Sequence, residues 1–279
     1  MTPFFVNLPL KFICKHPEAL YLFLKQKICP ELGIDAASMN SEISDGHKSR
    51  SDSIRDHGLR TSVHMPFVDL NPGSLDPYIR DASIRRLLDA VSLAKSYNPS
   101  HIVVHSGYRP DIGDDYSKWL ENSLSAWDQV LAITQDIPVY VENVYENDPT
   151  QLLDLLTGLG GRAGFCFDLG HWYSFGKGWE SRNLNHWMQC MMPFFKHLHL
   201  HDNDGASDEH AGLGTKDIPF ESFFEKLKAL GVCPGFTLEP HTMDALRSSL
   251  DFLVSHKDWF ALLGLSKKDF RHLERLIKA

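Results

Sequence analysis

The sequence lacks any run of about 18 apolar, uncharged residues, so it predicts no ordinary transmembrane helix. Its N-terminus has neither a basic lead-in nor a small-residue cleavage site, and we therefore expect no secretory signal and a cytoplasmic location. The five Cys residues are scattered and form no CxxC pair, which favours a reducing compartment over a disulfide framework. Lys and Arg number 28 against 36 Asp and Glu, so the composition does not predict a broad basic surface for nucleic acid.

Short apolar segments alternate with longer amphipathic segments along the chain. The apolar segments are typical of strands that are covered on both faces. Strands that alternate with helices indicate a parallel sheet with right-handed crossovers. We predict eight strands, at residues 4–7, 31–36, 60–65, 101–105, 138–142, 163–168, 196–201 and 235–239.

Eight strand–helix units in about 250 residues predict an α/β fold of the (β/α)8 TIM-barrel type. A doubly wound open sheet is the alternative, but no GxGxxG motif follows the first strand. We predict one domain over residues 1–279, with the barrel at about 4–255 and a C-terminal helical extension at 256–279. The clearest helices are at residues 76–97, 115–134, 220–230 and 241–255, and Ser266 with Asp269 forms a capping pair that opens a last helix at 267–278.

Six consecutive predicted strands, the third to the eighth, end in His, Asp or Glu after an apolar run. Active sites of TIM barrels lie at the C-terminal ends of the strands, so these side chains are expected to converge. Buried carboxylates at one mouth would repel each other unless cations are bound. His and carboxylate donors together suit Zn, Mn, Fe or Co. The residues of this predicted metal site are His64, His105, Glu142, Asp168, His171, one or more of the strand-seven His residues, and Glu239.

Strand seven and the loop after it leave alternatives open. His197, His199 and His201 alternate and so share one face of the strand, and any of them could be a ligand. Asp208 and His210 in the following loop could both bend towards one metal. The alternative for that loop is a solvated acidic segment without a ligand.

Seven motifs occur in a specific order: VHMPF (63–67), VVHSG (103–107), VENV (141–144), CFDLGH (166–171), HLHLHDN (197–203), DEHAGLG (208–214) and LEPH (238–241). From about residue 4 to residue 255, the chain resembles the xylose isomerase-like, AP endonuclease family 2 superfamily. Its endonuclease IV branch holds three zinc ions and cleaves DNA beside abasic sites. Resemblance to that branch implies that Glu142 bridges two metals, with His64 and His105 on one and Asp168, His199 and Glu239 on the other, and that His171, Asp208 and His210 hold the third.

A second branch contains sugar isomerases and ketose 3-epimerases. Resemblance to it implies a single metal on Glu142, Asp168, His199 and Glu239, with the two Glu residues acting as base and acid and His171 contacting the substrate. The chain departs from the endonuclease IV signature, which reads HLND in strand seven where residues 199–204 read HLHDND. The loop predicted after the second strand, at residues 38–50, contains little that could wedge into a duplex. Residues 64–74 are similar instead to sugar phosphate isomerase-like proteins.

These observations favour a divalent-metal-dependent isomerase or epimerase of a small sugar, polyol or sugar phosphate, in which proton transfer runs between Glu142 and Glu239. The alternative is a zinc-cluster phosphodiesterase of the endonuclease IV type, and a non-catalytic binding protein is the third class. We expect one to three divalent ions, zinc first, with Mn, Co or Fe as alternatives. The expected partner is the small molecule, with nucleic acid only under the alternative, and no membrane. Candidate substrate-binding residues are His201, Phe67, Tyr108, Arg109, Trp172 and Lys177.

Overall fold

The structure is a computed structural model, and it describes residues 3–40 and 44–278. Its strands are β1 (Phe5–Pro9), β2 (Cys29–Gly33), β3 (Ser62–His64), β4 (Ile102–His105), β5 (Val139–Glu142), β6 (Gly164–Asp168), β7 (Phe195–Leu200) and β8 (Gly235–Leu238). Each strand pairs in parallel with the next, and β1 pairs with β8 to close the barrel. The predicted TIM barrel is therefore confirmed. The open sheet is wrong, because it would leave two edge strands unpaired.

Helices surround the barrel on its outer face. They are α1 (Leu10–Lys15), α2 (Pro17–Gln26), α3 (Ala36–Asn40), α4 (Ser44–Asp56), α5 (Pro77–Lys95), α6 (Tyr116–Thr134), α7 (Thr150–Gly158), α8 (Leu169–Tyr173), α9 (Gly178–Ser181), α10 (Leu184–Met191), α11 (Phe220–Leu230), α12 (Met243–Ser255), α13 (Lys257–Leu262) and α14 (Lys267–Ile277). Short 3-10 segments lie at Pro110–Asp115 and Met192–Phe194. Among the described residues, none of the helices has the length and apolarity that a membrane crossing requires.

Local sequence signals explain where several helices begin. Asp76 caps α5 by accepting a hydrogen bond from the Tyr78 amide at 2.8 Å. The predicted capping pair is confirmed, because the Ser266 and Asp269 side chains bond each other's backbone amides at the start of α14. Helix α14 packs against α12, and its Phe270 and Leu273 side chains are buried. The C-terminal extension thus covers the outside of the barrel, as expected.

The second strand and the segment after it differ from the prediction. Strand β2 begins at Cys29 and ends at Gly33, because Asp35 accepts a hydrogen bond from the Ser38 amide and α3 begins there. The loop predicted at residues 38–50 is wrong: α3 continues to Asn40 and α4 begins at Ser44, and residues 41–43 lie outside the described part. Helix α4 is fixed by His47, whose ring is buried and hydrogen-bonded to the Tyr97 hydroxyl at 2.8 Å.

The apolar core lies mainly between the barrel wall and the helices. On the β6 side, Phe167 stacks on Trp187 with ring centroids 5.8 Å apart, and the Phe223 ring packs against Phe167 at a tilt of 53°. All three side chains are fully buried. The inside of the barrel, in contrast, contains a succession of His and carboxylate side chains. Apolar packing outside the sheet therefore holds the strands in register, and the polar residues face one another across the interior.

Candidate metal centre

Because the strands run parallel, their C-terminal ends meet at one mouth of the barrel. In neighbouring strands His105 pairs in register with Glu142, and Asp168 with His199. Possible ligand atoms form four groups, and within each group all of them lie within 4.8 Å of one another. Three of the groups are at the mouth, and we number them in chain order of their first residue.

The first group consists of His64, His105 and Glu142. The Nε2 atoms of His64 and His105 lie 3.0 Å and 3.4 Å from Oε2 of Glu142. Nδ1 of His64 is 2.9 Å from the Met65 carbonyl oxygen, which orients the ring so that Nε2 faces the carboxylate. Burial lowers the pKa of His105 to about 4, so its ring is neutral at physiological pH and offers a lone pair.

The second group consists of Glu142, Asp168, His199 and Glu239. Oε1 of Glu142 and Oε1 of Glu239 lie 3.1 Å and 3.3 Å from Nδ1 of His199. Asn143 ties the ends of β5 and β6 together, since its side chain exchanges two 2.9 Å hydrogen bonds with the backbone of Asp168. Glu142 thus belongs to both groups, with one oxygen towards each.

The third group consists of His171, His201, Asp208 and His210. His171 follows Asp168 in α8, and the Asp168 carboxylate caps that helix by accepting from the His171 amide at 2.6 Å. Oδ2 of Asp208 lies 2.9 Å from Nε2 of His210 and 3.4 Å from Nε2 of His171. The loop after β7 therefore reaches the mouth through both predicted side chains, and the solvated-loop alternative does not describe them.

Charges at the mouth balance without Lys or Arg. Every ion pair that Glu142, Asp168 and Glu239 form within the described residues is with a His. Burial would raise the pKa of Glu142, but the charge of His199 and hydrogen bonds from His105 and His171 outweigh it and hold that pKa well below its usual range. Burial would lower the pKa of His171, but the Asp168 charge raises it well above the ordinary value. Protonated His thus carries the positive charge that a bound cation would otherwise supply.

Unpartnered polar atoms test whether the site fits metal ions. Oδ2 of Asp168, Oδ1 of Asp208, both ring nitrogens of His201 and Nε2 of His199 are buried without a well-aligned hydrogen bond. Leaving such an atom unpaired costs about 1–3 kcal/mol. A divalent cation at the mouth would bind several of them, and the mixture of imidazole nitrogen and carboxylate oxygen suits Zn, Mn, Fe or Co. The residues present therefore fit divalent cations.

The fourth group, Glu31, His101 and His197, lies beneath the mouth, and we call it the floor group. Oε2 of Glu31 accepts hydrogen bonds from the Ser62 and Thr237 hydroxyls at 2.8 Å and 2.9 Å. Its other oxygen lies 3.1 Å from Nε2 of His199, on the side of that ring away from the second group. Glu31 was not among the predicted site residues. The only signal for it was a Glu inside an apolar segment.

The predicted substrate-binding residues fall in different places. The exposed ring of Phe67 stacks on His105 with centroids 4.3 Å apart, so it lies at the mouth. Tyr108 packs edge-on against Trp119, and Arg109 is exposed and paired with Asp111 at 3.2 Å. Lys177 is exposed just before α9.

Three further ring side chains need correction or addition. Trp172 is buried in the apolar core, where its indole nitrogen donates to Asn183, rather than at the mouth, because α8 turns that side chain outward. His201, expected to touch substrate, is 1% exposed and belongs to the third group. Phe175 was missed: its exposed ring stacks on His171 with centroids 5.5 Å apart. Phe67 and Phe175 thus stand over the ligand groups.

Comparisons with known proteins identify relatives of this chain. An uncharacterized protein of Methanocaldococcus jannaschii is 32% identical over 197 residues, which is 67% of this chain and 66% of that protein, just under two thirds of its length. A probable endonuclease 4 of Mycobacterium leprae is 28% identical over 201 residues, covering 66% of this chain and 75% of that protein.

Among solved structures, a D-tagatose 3-epimerase-like protein superposes with a TM-score of 0.74 at 24% identity, covering 95% of this chain and 98% of that one. At that identity the likeness establishes the fold alone. The family model described as xylose isomerase-like TIM barrel matches residues 27–256. The chain therefore belongs to the xylose isomerase-like TIM barrel family.

Proposed function

We propose that the protein is a divalent-metal-dependent hydrolase of phosphodiesters, the second of the two enzyme functions that the sequence suggests. The observation that carries this proposal is the position of Glu142. Its Oε2 faces His64 and His105, and its Oε1 faces His199. A carboxylate between two sets of ligands is suited to join two cations, and paired cations are typical of enzymes that cleave phosphate esters.

The same contacts weigh against a proton shuttle through Glu142. An acid–base catalyst needs an oxygen that can reach the substrate. Both oxygens of Glu142 are engaged by His side chains, and the residue is fully buried. A single-metal isomerase would also leave the first and third groups without a purpose, although most of their side chains are buried at a polar mouth.

Under this proposal, His64, His105 and Glu142 would hold one cation and Glu142, Asp168, His199 and Glu239 another. Bound divalent ions would lower the pKa of water and offset charge on the attacked phosphate and the leaving oxygen. The chain itself positions those ligands through Asn143 and the Met65 carbonyl. Phe67 and Phe175 cover two of the His ligands and would restrict access of solvent from the rim. The similarity to a probable endonuclease 4 supports phosphodiester hydrolysis as the reaction class. Assays with several phosphodiesters would identify the substrate of this chain.

A metal-dependent sugar isomerase or epimerase is the second candidate. It is supported by the completeness of the second group, whose four ligands suffice for one metal. Burial raises the pKa of Glu239, which is the direction that a general acid near neutral pH requires. A proton shuttle here would need Glu142 to leave His64 and His105.

The two candidates differ in their need for the first group. We would measure metal content and activity for the wild type and for the double variant His64→Asn with His105→Asn. The substrates are an abasic-site duplex, bis(p-nitrophenyl) phosphate and a panel of ketoses and sugar phosphates. The double variant His16→Asn with His57→Asn, at two exposed His residues, is the matched control.

We expect the wild type to cleave a phosphodiester, and the double variant to lose one cation and at least about 100-fold in rate. The control should keep both. Ketose turnover that survives loss of His64 and His105, with no phosphodiester cleavage by the wild type, would overturn the proposal in favour of the isomerase.

A further inference from the structure

His201 is the member of the third group that neither resemblance implies as a ligand. It directly follows β7 and is 1% exposed. Its Nε2 lies 3.2 Å from Oδ1 of Asp168 and 3.5 Å from Oδ1 of Asp208. Neither ring nitrogen has a well-aligned hydrogen bond, although Nε2 lies within ion-pair distance of both carboxylates, so the ring is a buried polar group whose nitrogens are not fully satisfied. A buried imidazole is expected to have a hydrogen-bond or metal partner, and in this position a cation would supply it.

The backbone around His201 is built to admit its ring. A Cβ atom at Gly170 would lie 1.8 Å from Cε1 of His201, so no other residue could stand there with the ring in place. The Gly170 carbonyl oxygen accepts a hydrogen bond from the Asn203 side chain at 3.0 Å, which holds the segment after β7 against α8. On its other side, the His201 ring stacks on His210 with centroids 3.8 Å apart.

We propose that His201 is the fourth protein ligand of the third group, so that His171, His201, Asp208 and His210 close a tetrahedral site around one zinc-like cation. Four protein donors are typical of structural zinc sites, whereas catalytic sites keep a position open for water or substrate. The first group has three donors, so a cation held there would keep such a position open. The third cation would therefore tie the loop after β7 to α8 and would leave the chemistry to the other two groups.

The inference rests on the cation binding of the proposed function but not on its reaction. Its test uses cobalt(II), because four-coordinate tetrahedral cobalt absorbs visible light much more strongly than five- or six-coordinate cobalt. The full chain carrying Glu142→Gln is the background, since that change removes the ligand shared by the first and second groups. His201→Asn is added to this background, and His241→Asn is the matched control. His241 stacks on the other face of His210, with centroids 3.9 Å apart, but is not in the group.

We expect the Glu142→Gln background and its His241→Asn derivative to bind one cobalt ion per chain with the strong tetrahedral band. The His201→Asn derivative should bind at least about 100-fold more weakly, more than the 10- to 100-fold that an outer partner of a ligand costs, and should lose the band. Circular dichroism of each variant checks the fold. The wild type, loaded with zinc and dialysed against a weak chelator, should keep its third ion, and its His201→Asn variant should lose it.

Weak absorption by cobalt in the background protein, or unchanged affinity and spectrum after His201→Asn, would overturn the closed site. If a cobalt variant does not fold, the zinc count of the wild type and its His201→Asn variant decides between the same two outcomes. Phosphodiester cleavage is measured separately on the same zinc-loaded proteins. If binding of the third ion depends on His201 but the protein cleaves no phosphodiester, this inference stands and only the proposed function fails. If the protein cleaves a phosphodiester but binding of the third ion does not depend on His201, the proposed function stands and this inference fails.

Discussion

The mouth and the floor group contain the same residue types, His and carboxylate, on consecutive layers of one barrel. In the floor group a single carboxylate, Glu31, receives two hydroxyl hydrogen bonds, from Ser62 and Thr237. Burial lowers the pKa of His101 to about 4 and lowers the pKa of His197 well below its usual range, so both rings are neutral. At the mouth, three buried carboxylates face one another with only His between them.

The difference separates a satisfied polar layer from one that requires a cation. Hydroxyl groups next to Glu31 supply donors that do not depend on metal or on pH. Within the described residues, no hydroxyl donates to the three carboxylates at the mouth, and the His171 amide donates to Asp168 alone. The charge balance there therefore depends on protonated His or on bound ions. We therefore expect substitutions at the mouth to change metal content and activity, and substitutions in the floor group to change mainly stability. Glu31 should affect both metal binding and stability, because it belongs to the floor group and also contacts His199.

The largest effect is expected for Glu142→Gln. It removes a negative ligand from both the first and the second group, so two cations should be lost. The rate should fall by more than the roughly 100-fold that loss of a residue hydrogen-bonded to a metal ligand costs. Metal content by plasma mass spectrometry and the rate of phosphodiester cleavage measure it. Glu146→Gln is the control, because Glu146 is equally buried but hydrogen-bonds to Ser106 and belongs to none of the groups. Equal losses in both variants would show that the mouth is no more metal-dependent than its surroundings.

Glu31→Gln comes next. Glu31 contacts Nε2 of His199, on the edge of the ring that is turned away from the second group, and a carboxylate in that position orients a metal-binding His and raises its basicity. We expect metal affinity of the second group to fall about 10- to 100-fold. Competition with a chromogenic chelator measures it, with the exposed Glu18→Gln as control. Unchanged affinity would place Glu31 wholly on the stability side of the comparison.

A smaller effect, confined to stability, is expected for Thr237→Val. The change keeps the shape of the side chain but removes the hydroxyl that donates to Glu31 and lies 2.9 Å from Nε2 of His197. Unfolding in urea should show a loss of about 1–3 kcal/mol, while metal content stays at the wild-type value. The exposed Ser92→Ala serves as control. Loss of metal here would contradict the separation of the two layers.

Arg109→Ala should have the smallest effect. The side chain is exposed at the rim, and its only ion pair with a residue in the described ranges is with exposed Asp111, so the temperature of unfolding should not change. If the rim helps to attract a phosphate, KM for a phosphodiester rises by less than about tenfold and kcat stays constant. Raising the salt concentration should reduce that difference. A fall in kcat would mean that Arg109 reaches the reacting atoms.

The nine ligands that the endonuclease IV resemblance implied converge, because each stands at or just beyond the end of a strand or in the loop after β7. Helix α4 was missed because its sequence is almost wholly polar, so its helical periodicity is weak, and its fit depends on His47 reaching Tyr97 from a distant element. Glu31 was missed because a lone carboxylate in an apolar segment has no local partner in the sequence; Ser62, His199 and Thr237 come from three other strands.

The amino-acid sequence alone was sufficient to predict the barrel, its polar mouth and the residue types that a divalent cation needs. Strand and helix periodicities and the residues at strand ends are local patterns, which can be read without the tertiary structure. The height of each side chain inside the barrel was decided only by the closed sheet. His197, His199 and His201 share a face, but each step of two residues raises the side chain by roughly 6.6 Å. His197 therefore lies in the floor group, His199 in the second group and His201 in the third. The register of β7 with β6 and β8, to which distant segments contribute, determines this assignment.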